Sequence, residues 1–466
     1  MQTVKNLIGG GWQDTAGDTL LDVVDPATEK VIARAPAGTA EDVDRAVAAA
    51  AAAQPAWAAL PVAERVARIG AWADRIVGRA DELAELERQE MGKPAGLGKA
   101  FIEGGAAGLK QAAERALTYP FEETHEHPGG VTRIVRHPLG VTAVITPWNF
   151  PSTVLLGALG PLLVAGNTVV VKPSERSPLS AVRLCELLTL PPGVVNLVLG
   201  DARAGAPLAG HDGIQLVHFT GSVAAGRAVG AAAGGRLHRA MLELGGKDAV
   251  VVDAGVDVRA TAAEVALGSF LNSGQICTSM ERIYVHQDIA EEFTDALVEA
   301  AGPYAPGETL GPLVDARQRD IVRGHVADAV ERGAKIRTGG EEPPGKGYYY
   351  PPTVLTGVDE AMLVMSEETF GPIAPVAVVA DFGEGLERAA DSRYGLAATV
   401  YTNDPDHIAA AARLPAGIVW INEWRGGSPE MVFEPAGDSG LGATGANAAY
   451  DAATRPASVN IAGRSG

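Results

Sequence analysis

The chain predicts an α/β fold built on parallel sheets, and three observations carry that expectation. From Val141 onward, short β-rich runs at Val141–Thr146, Thr168–Lys172, Val194–Leu199, Gln215–Phe219 and Arg239–Leu244 alternate with helix-like stretches. Such alternation lays successive strands side by side in parallel, with helices on both faces. A second strand and helix series begins at Ala249–Asp253 and continues to about Asn422. Between these and the N-terminal region, the polar, Pro/Gly-punctuated stretch from Tyr119 to Leu139 contains VTRIVRHPLG, an alternating segment suited to a projecting β-hairpin.

In chain order, the first third reads as helical. Thr39 caps a helix, with Asp42 three residues on and Val43 and Val47 on one face. A second helix begins near Pro61 and carries Val62, Val66, Ile69, Trp72 and Ile76 as an apolar stripe. A third runs from about Asp81 to Met91 and stops at Gly92, with Pro94 beyond. After the hairpin and the two strand series, Ala453–Ile461 reads as one more exposed strand able to pair with another subunit.

Bulk properties narrow the function classes. At 466 residues the chain is long enough for two or three domains. Its net charge is −19 with no block of Lys/Arg, so it lacks the basic footprint that nucleic acid or anionic membrane requires. No run of about 18 apolar residues suggests a membrane helix, and MQTVKNLIGGGWQD has no signal-peptide core. Two cysteines cannot build a disulfide framework, and the expected setting is reduced and cytoplasmic. His125 and His127, the closest histidine pair, lie in the turn-rich ETHEHPGG, which reads as a solvated loop; no metal site is expected.

The chemistry centres on Cys277 in FLNSGQICTSM, a small, polar, turn-prone segment after an apolar helix-like run. A thiol placed there is placed to react, because the thiolate is a strong nucleophile even when little of it is ionised. Cys185, in LSAVRLCELLTL, instead shares a helix face with Val182 and Leu188 and reads as packing. Five further stretches bear on Cys277. In ITPWNFP, Asn149 offers an amide donor stiffened by Pro147 and Pro151, suited to an oxyanion, or it is a turn asparagine. In VVVKPSERSP, Lys172, Ser174 and Glu175 follow a strand end, where they hold a ribose or are plain surface residues. FTGSVAAG breaks a strand at Gly221 and opens a helix at Ser222, a phosphate site or a simple turn. In LELGGKD, Glu243 lies between leucines before paired glycines: a base with a raised pKa, or a buried paired carboxylate. In EETFGPIAPV, Glu368 and Phe370 are placed to hold a second ribose and support a ring.

Together WNFP, KPSE, FTGS, ELGGK, GQIC and EETFGP, in this order and spacing, resemble the aldehyde dehydrogenase superfamily over nearly the whole chain. The resemblance implies two doubly wound parallel-sheet domains plus a β-hairpin/terminal-strand oligomerisation arm. Residues 1–118 and 140–244 would form the dinucleotide-binding domain, 245–445 the catalytic domain, and 119–139 with 446–466 the arm. It makes Cys277 the nucleophile, Asn149 part of the oxyanion hole and Glu243 the general base. Ile145, Trp148, Lys172, Ser174, Glu175, Gly221, Ser222, Gly226, Leu244, Glu368 and Phe370 become dinucleotide contacts. Phe150, Val154, Gly157, Ile276, Thr278 and Phe433 become the substrate pocket.

The implied reaction is oxidation of an aldehyde to its acid through a Cys277 thiohemiacetal and thioester, which water activated by Glu243 hydrolyses. Relatives that pass the acyl group to coenzyme A generally lack this glutamate. Glu175 favours NAD, since a carboxylate accepts a 2′-hydroxyl and repels a 2′-phosphate; Ser174 and Arg176 would soften that choice towards NADP. Where relatives often carry a large aromatic residue or an arginine, Gly157 should leave a wide, mostly apolar pocket for a bulky aliphatic or aromatic aldehyde. Arg425, in INEWRGGSPE, keeps open a semialdehyde dehydrogenase for an ω-carboxy aldehyde. From Val432 to Gly440 the chain reads VFEPAGDSG where many relatives read PFGG followed by K-x-SG. A catalytically retired structural or binding protein is the reading from another class, and retention of Cys277, Asn149 and Glu243 speaks against it. The expected partners are a small aldehyde and further copies of the chain, as homodimer or homotetramer.

Overall fold

The structure, a computed structural model, describes residues 2–463; Met1 and residues 464–466, which close the expected cofactor-domain and arm ranges, lie outside the described residues. Its frame is two mainly parallel sheets. The first runs, edge to edge, through Gly440–Leu441, Arg239–Glu243, Leu216–Thr220, Val141–Ile145, Thr168–Lys172, Val195–Leu197, Asn6–Ile8 and Gly11–Gln13. The five strands between residues 141 and 243 are parallel, as their alternation with helices predicts, and the flanking ones antiparallel. Strand order turns back at Val141–Ile145: the chain steps one way to 168–172 and 195–197, then returns to the other side at 216–220. A crevice opens at the carboxyl ends of strands where winding reverses.

The second sheet orders Lys335–Thr338, Thr353–Thr356, Ile373–Val379, Met280–His286, Asp248–Val252, Ala397–Tyr401 and Ile418–Ile421, parallel except for its first strand. Only Leu244–Lys247 separates the end of strand Arg239–Glu243 from the start of Asp248–Val252. The carboxyl ends of the first sheet therefore face the amino ends of the second, and the site lies in that seam. Gly440–Leu441, within the expected catalytic range, joins the first sheet, with Gly440 opposite Glu243.

The hairpin forms from Glu122–His127 and Gly130–Pro138, and the terminal strand Thr454–Ala462 pairs antiparallel with the latter along its length. The first third departs from the helical expectation at its start. Gln2–Thr3, Asn6–Ile8, Gly11–Gln13, Leu20–Asp25 and Lys30–Pro36 are strands, mostly too short to show a period of two. The expected helices do form. Thr39 and Asp42 make a reciprocal capping box, and Gly92 ends helix Ala80–Met91 at φ 84°. A fourth helix, Ala95–Arg115, escaped the sequence reading because Gly96, Gly98, Gly104, Gly105 and Gly108 dilute its apolar pattern. Gly105 has a packing reason: a Cβ there would sit 3.1 Å from the Thr153 Cα of helix Pro151–Val164. Cys185 is buried in the core of this half, as its helix-face spacing predicts, and burial pushes its thiol up to about 12.

Candidate active site

The loop that carries Cys277 is built from backbone that most residues avoid. Helix Val258–Phe270 gives way to a turn in which Asn272, Ser273 and Gly274 have φ of 52°, 60° and 68°. Side chains from the same motif hold that strained turn. Gln275 Nε2 donates to the Asn272 carbonyl at 3.1 Å and its Oε1 accepts the Val314 N–H at 2.9 Å, while Ser273 Oγ donates to the Gly311 carbonyl at 2.7 Å. Gly274 is obligatory, since a Cβ would lie 2.0 Å from the Gly371 carbonyl oxygen. Cys277 emerges from this turn half-buried. Burial, and then the Asp248, Glu368 and Glu243 carboxylates, push its thiol up to about 12. The resting sulfur is protonated.

Asn149 follows strand Val141–Ile145 and is buried. Its Nδ2 donates to the Gln275 carbonyl at 3.0 Å, and its own carbonyl oxygen accepts from Asn272 Nδ2 at 3.3 Å. The amide is thus clamped to the Cys277 loop by one of its two N–H groups, and the second is left for a ligand.

Glu243 ends strand Arg239–Glu243, between Thr220 and Gly440. Its Oε1 accepts the Thr444 hydroxyl at 3.3 Å, and its Oε2 has no partner among the described residues. Burial raises this carboxyl to about 8 against the weaker opposing effect of the Thr444 bond. The paired glycines now have reasons. A Cβ on Gly245 would lie 2.3 Å from Glu368 Oε2, and one on Gly246 would lie 3.0 Å from the Cys277 carbonyl oxygen. Glu368, which accepts the Gly246 N–H at 3.3 Å, is likewise raised by burial to about 8. The unusual segment before Gly440 packs on the same turn, where Ser439 Oγ donates to the Gly245 carbonyl at 2.8 Å. Thr444 was not foreseen, and nothing in its local sequence marks it.

The expected crevice is present as a cavity of about 490 Å³ beside the carboxyl ends of the first sheet. Ile145, Trp148, Lys172, Ser174, Glu175, Gly221 and Ser222 line it together. Ser222 caps helix Val223–Gly234, whose N-terminus faces the cavity and whose Ala225, Ala228 and Ala232 form a smooth wall. Lys172 is buried, its ammonium donating to the Pro173 and Gly200 carbonyls at 2.8 and 2.6 Å, with Glu175 4.0 Å away. Gly226 and Leu244 stand behind the wall: a Cβ on Gly226 would meet the Leu244 side chain at 2.3 Å. Phe370, at φ 51°, sets its ring edge-on to Trp148 at 5.4 Å. Free helix-terminal N–H groups, a half-exposed carboxylate and a flat small-residue wall suit the phosphates, ribose and base of a dinucleotide.

The expected pocket residues divide. Phe150 and Ile276 are buried, Phe150 against Phe101 at 4.7 Å, and the Thr278 carbonyl accepts the Trp424 indole N–H at 3.2 Å. Phe433 exchanges backbone hydrogen bonds of 2.9 and 2.7 Å with Thr444. Val154, half-buried, packs against the same apolar cluster as Phe150 and Ile276. Gly157 lines a different space, a largely apolar cavity of about 210 Å³ reaching Met241, Met431 and Thr444. A Cβ on Gly157 would meet nothing within 4 Å.

With the Cys277 thiol, the Asn149 amide, the Glu243 carboxyl and a crevice suited to a dinucleotide brought together, the likeness to known proteins becomes decisive: residues 12–459 match the model of the aldehyde dehydrogenase family. The chain belongs to that family. It is 38% identical over 428 residues to lactaldehyde dehydrogenase of Escherichia coli (strain K12), covering 89% of each chain. It is 36% identical over 445 residues to aminoaldehyde dehydrogenase 2, peroxisomal, of Malus domestica, covering 89% of this chain and 87% of that one. The solved structure of an indole-3-acetaldehyde dehydrogenase complexed with NAD+ matches it with a TM-score of 0.95 at 33% identity, covering 98% and 96% of the two chains. This aldehyde dehydrogenase is thus an NAD(P)-dependent oxidoreductase acting on an aldehyde group.

Proposed function

We propose that this aldehyde dehydrogenase hydrolyses its acyl intermediate to a carboxylic acid and that its substrate is a bulky aliphatic or aromatic aldehyde. The observation that carries the hydrolytic reading is Glu243, which has one oxygen held by Thr444, the other unpartnered, and a pKa near 8. A base poised near neutrality is what deprotonating water requires. Cys277 gives up its thiol proton to solvent as the sulfur adds to the aldehyde carbon, and the resulting oxyanion takes the second Asn149 N–H and the Cys277 backbone N–H. The bound dinucleotide supplies the hydride acceptor. Loss of hydride from the adduct carbon leaves a Cys277 thioester, and Glu243 removes a proton from the water that attacks it. The acid leaves and the sulfur regains its proton.

Lys172 and Glu175 would hold the adenosine ribose, Ser222 a phosphate, and Glu368 the second ribose beside Phe370. Glu175 favours NAD, and the structure removes one opposing argument. Arg176 is engaged with Asp315 at 2.8 Å and lies over Trp148, so its charge is already answered. The bulk of the substrate rests on the open space at Gly157. It is in keeping that one relative is named for indole-3-acetaldehyde, an aromatic aldehyde. The terminal strand has an unpaired outer edge with Val459 and Ile461 exposed, which supports assembly into a homodimer or homotetramer. Two free thiols fit a cytoplasmic setting.

Rapid mixing of Glu243→Gln with NAD and an aromatic aldehyde tests the central step. The expected record is a full burst of NADH, one per Cys277, followed by turnover slowed roughly 10²-fold or more. Undiminished steady turnover would remove Glu243 from deacylation.

A further inference from the structure

Phe370, in the motif EETFGPIAPV, is a bulky residue at φ 51°, a backbone conformation that favours glycine. Such a residue persists only where its surroundings over-determine it. Two side chains from other elements take every backbone polar group of Thr369 and Phe370. Glu281, in strand Met280–His286, accepts the Thr369 N–H on Oε2 at 2.7 Å and the Phe370 N–H on Oε1 at 2.8 Å. Gln318, in helix Ala316–Glu331, donates from Nε2 to the Thr369 carbonyl at 2.9 Å and to the Phe370 carbonyl at 3.1 Å.

The Glu281 carboxylate is only 3% exposed, and its charge is met inside the protein. Lys247, the lysine of LELGGKD, donates to Glu281 Oε2 at 2.6 Å and to Thr369 Oγ1 at 3.1 Å. One residue earlier, the Gly246 N–H donates to Glu368 Oε1 at 3.3 Å. Glu368 and Thr369 are thereby tied directly to the turn that follows Glu243, and Phe370 is tied to it through Glu281. A buried ion pair adds little stability over apolar packing of the same volume. Charge-assisted bonds to two adjacent N–H groups do something packing cannot, which is to fix the orientation of a peptide. The orientation fixed here sets the Phe370 ring edge-on to Trp148, which lines the crevice.

We propose that Glu281 and Gln318 are positioning residues for hydride transfer. They hold the segment 368–370 so that Glu368 meets the second ribose of the dinucleotide and Phe370 supports its reacting ring. The inference rests on the reading of Glu368 and Phe370 as cofactor contacts.

The test compares wild type with Glu281→Gln, Gln318→Met and Phe370→Ala. Glu281→Gln keeps the shape but turns one acceptor into a donor facing an N–H group. Gln318→Met removes the bonds to both carbonyls from a half-buried position and leaves the Lys247–Glu281 pair intact. The readouts are KM for NAD, the rate constant of the NADH burst with benzaldehyde, and hydrolysis of 4-nitrophenyl acetate without NAD. In that hydrolysis Cys277 attacks the ester carbonyl, 4-nitrophenolate leaves, and water releases acetate from the thioester, so no hydride moves. Glu281→Gln and Gln318→Met should each raise KM for NAD and slow the burst by roughly tenfold, the effect of losing a buried hydrogen-bond partner. Ester hydrolysis should stay within about threefold of wild type. A purely structural role would lower both activities together or leave both unchanged, and either result overturns the proposal. If Glu281→Gln fails to fold, Gln318→Met decides on the same readouts. An effect of Phe370→Ala on KM for NAD and the burst, with none from the other two variants, would overturn this inference alone. No effect of Phe370→Ala would sink the cofactor reading of the segment, and the inference with it.

Discussion

Replacing Thr444 by valine removes the one donor that faces Glu243 while keeping the side chain's shape. The Thr444 hydroxyl reaches Glu243 Oε1 at 3.3 Å, and no other side-chain donor meets this carboxylate among the described residues. A hydrogen bond to the ionised form favours that form, so its loss must raise a pKa that already stands near 8. A bond this long contributes about 1 kcal/mol, or about fivefold in the ionisation equilibrium. Roughly a tenth of Glu243 is ionised at pH 7 in the wild type, and about a fiftieth would be in Thr444→Val. Hydrolysis of the thioester should therefore slow about fivefold at pH 7, and the two rates should converge near pH 10. Single-turnover deacylation measured from pH 6 to 10 reads this directly, and Thr444→Ser should restore the wild-type profile. A loss of the same size at every pH would mean misplacement instead of titration. No loss at pH 7 would refute the hydrogen-bond argument.

Two further predictions follow from the cavities. Gly157→Trp should lower kcat/KM for aromatic aldehydes at least roughly tenfold and spare acetaldehyde, because the side chain fills open space without disturbing helix Pro151–Val164; unchanged aromatic turnover would separate Gly157 from the substrate path. Glu175→Gln should weaken NAD binding modestly and improve NADP relative to NAD by about tenfold, since removing the carboxylate removes its repulsion of a 2′-phosphate. Competitive titration of the two cofactors would show it, and an unaltered NAD/NADP ratio would take Glu175 out of cofactor choice.

Much of this protein is legible without coordinates, and for local reasons. A strand that must pair in parallel carries its apolar run in its own residues, which is why Thr168–Lys172 has the same limits in sequence and structure. A capping box is closed within four residues, so Thr39 and Asp42 announce their helix. Cys277 stands out because a thiol in a polar turn has little packing reason to be there. Asn6–Ile8 is hidden because a three-residue strand shows no pattern of its own and joins the first sheet through Val195–Leu197, far along the chain.

The site's working details belong to tertiary structure. The pairing of Gly245 with Gly246 is visible in the sequence, but its cause is the Glu368 carboxylate packed against the first and the Asp248 carboxylate and Cys277 carbonyl packed against the second. Thr444 becomes a partner of Glu243 only when Gly440 pairs beside that strand. Sequence by itself determined which groups are chemically able to react, because reactivity starts from residue type. Folding decided which are buried, which are paired and which stay free, because desolvation and Coulomb interaction depend on neighbours that only the packed chain brings together.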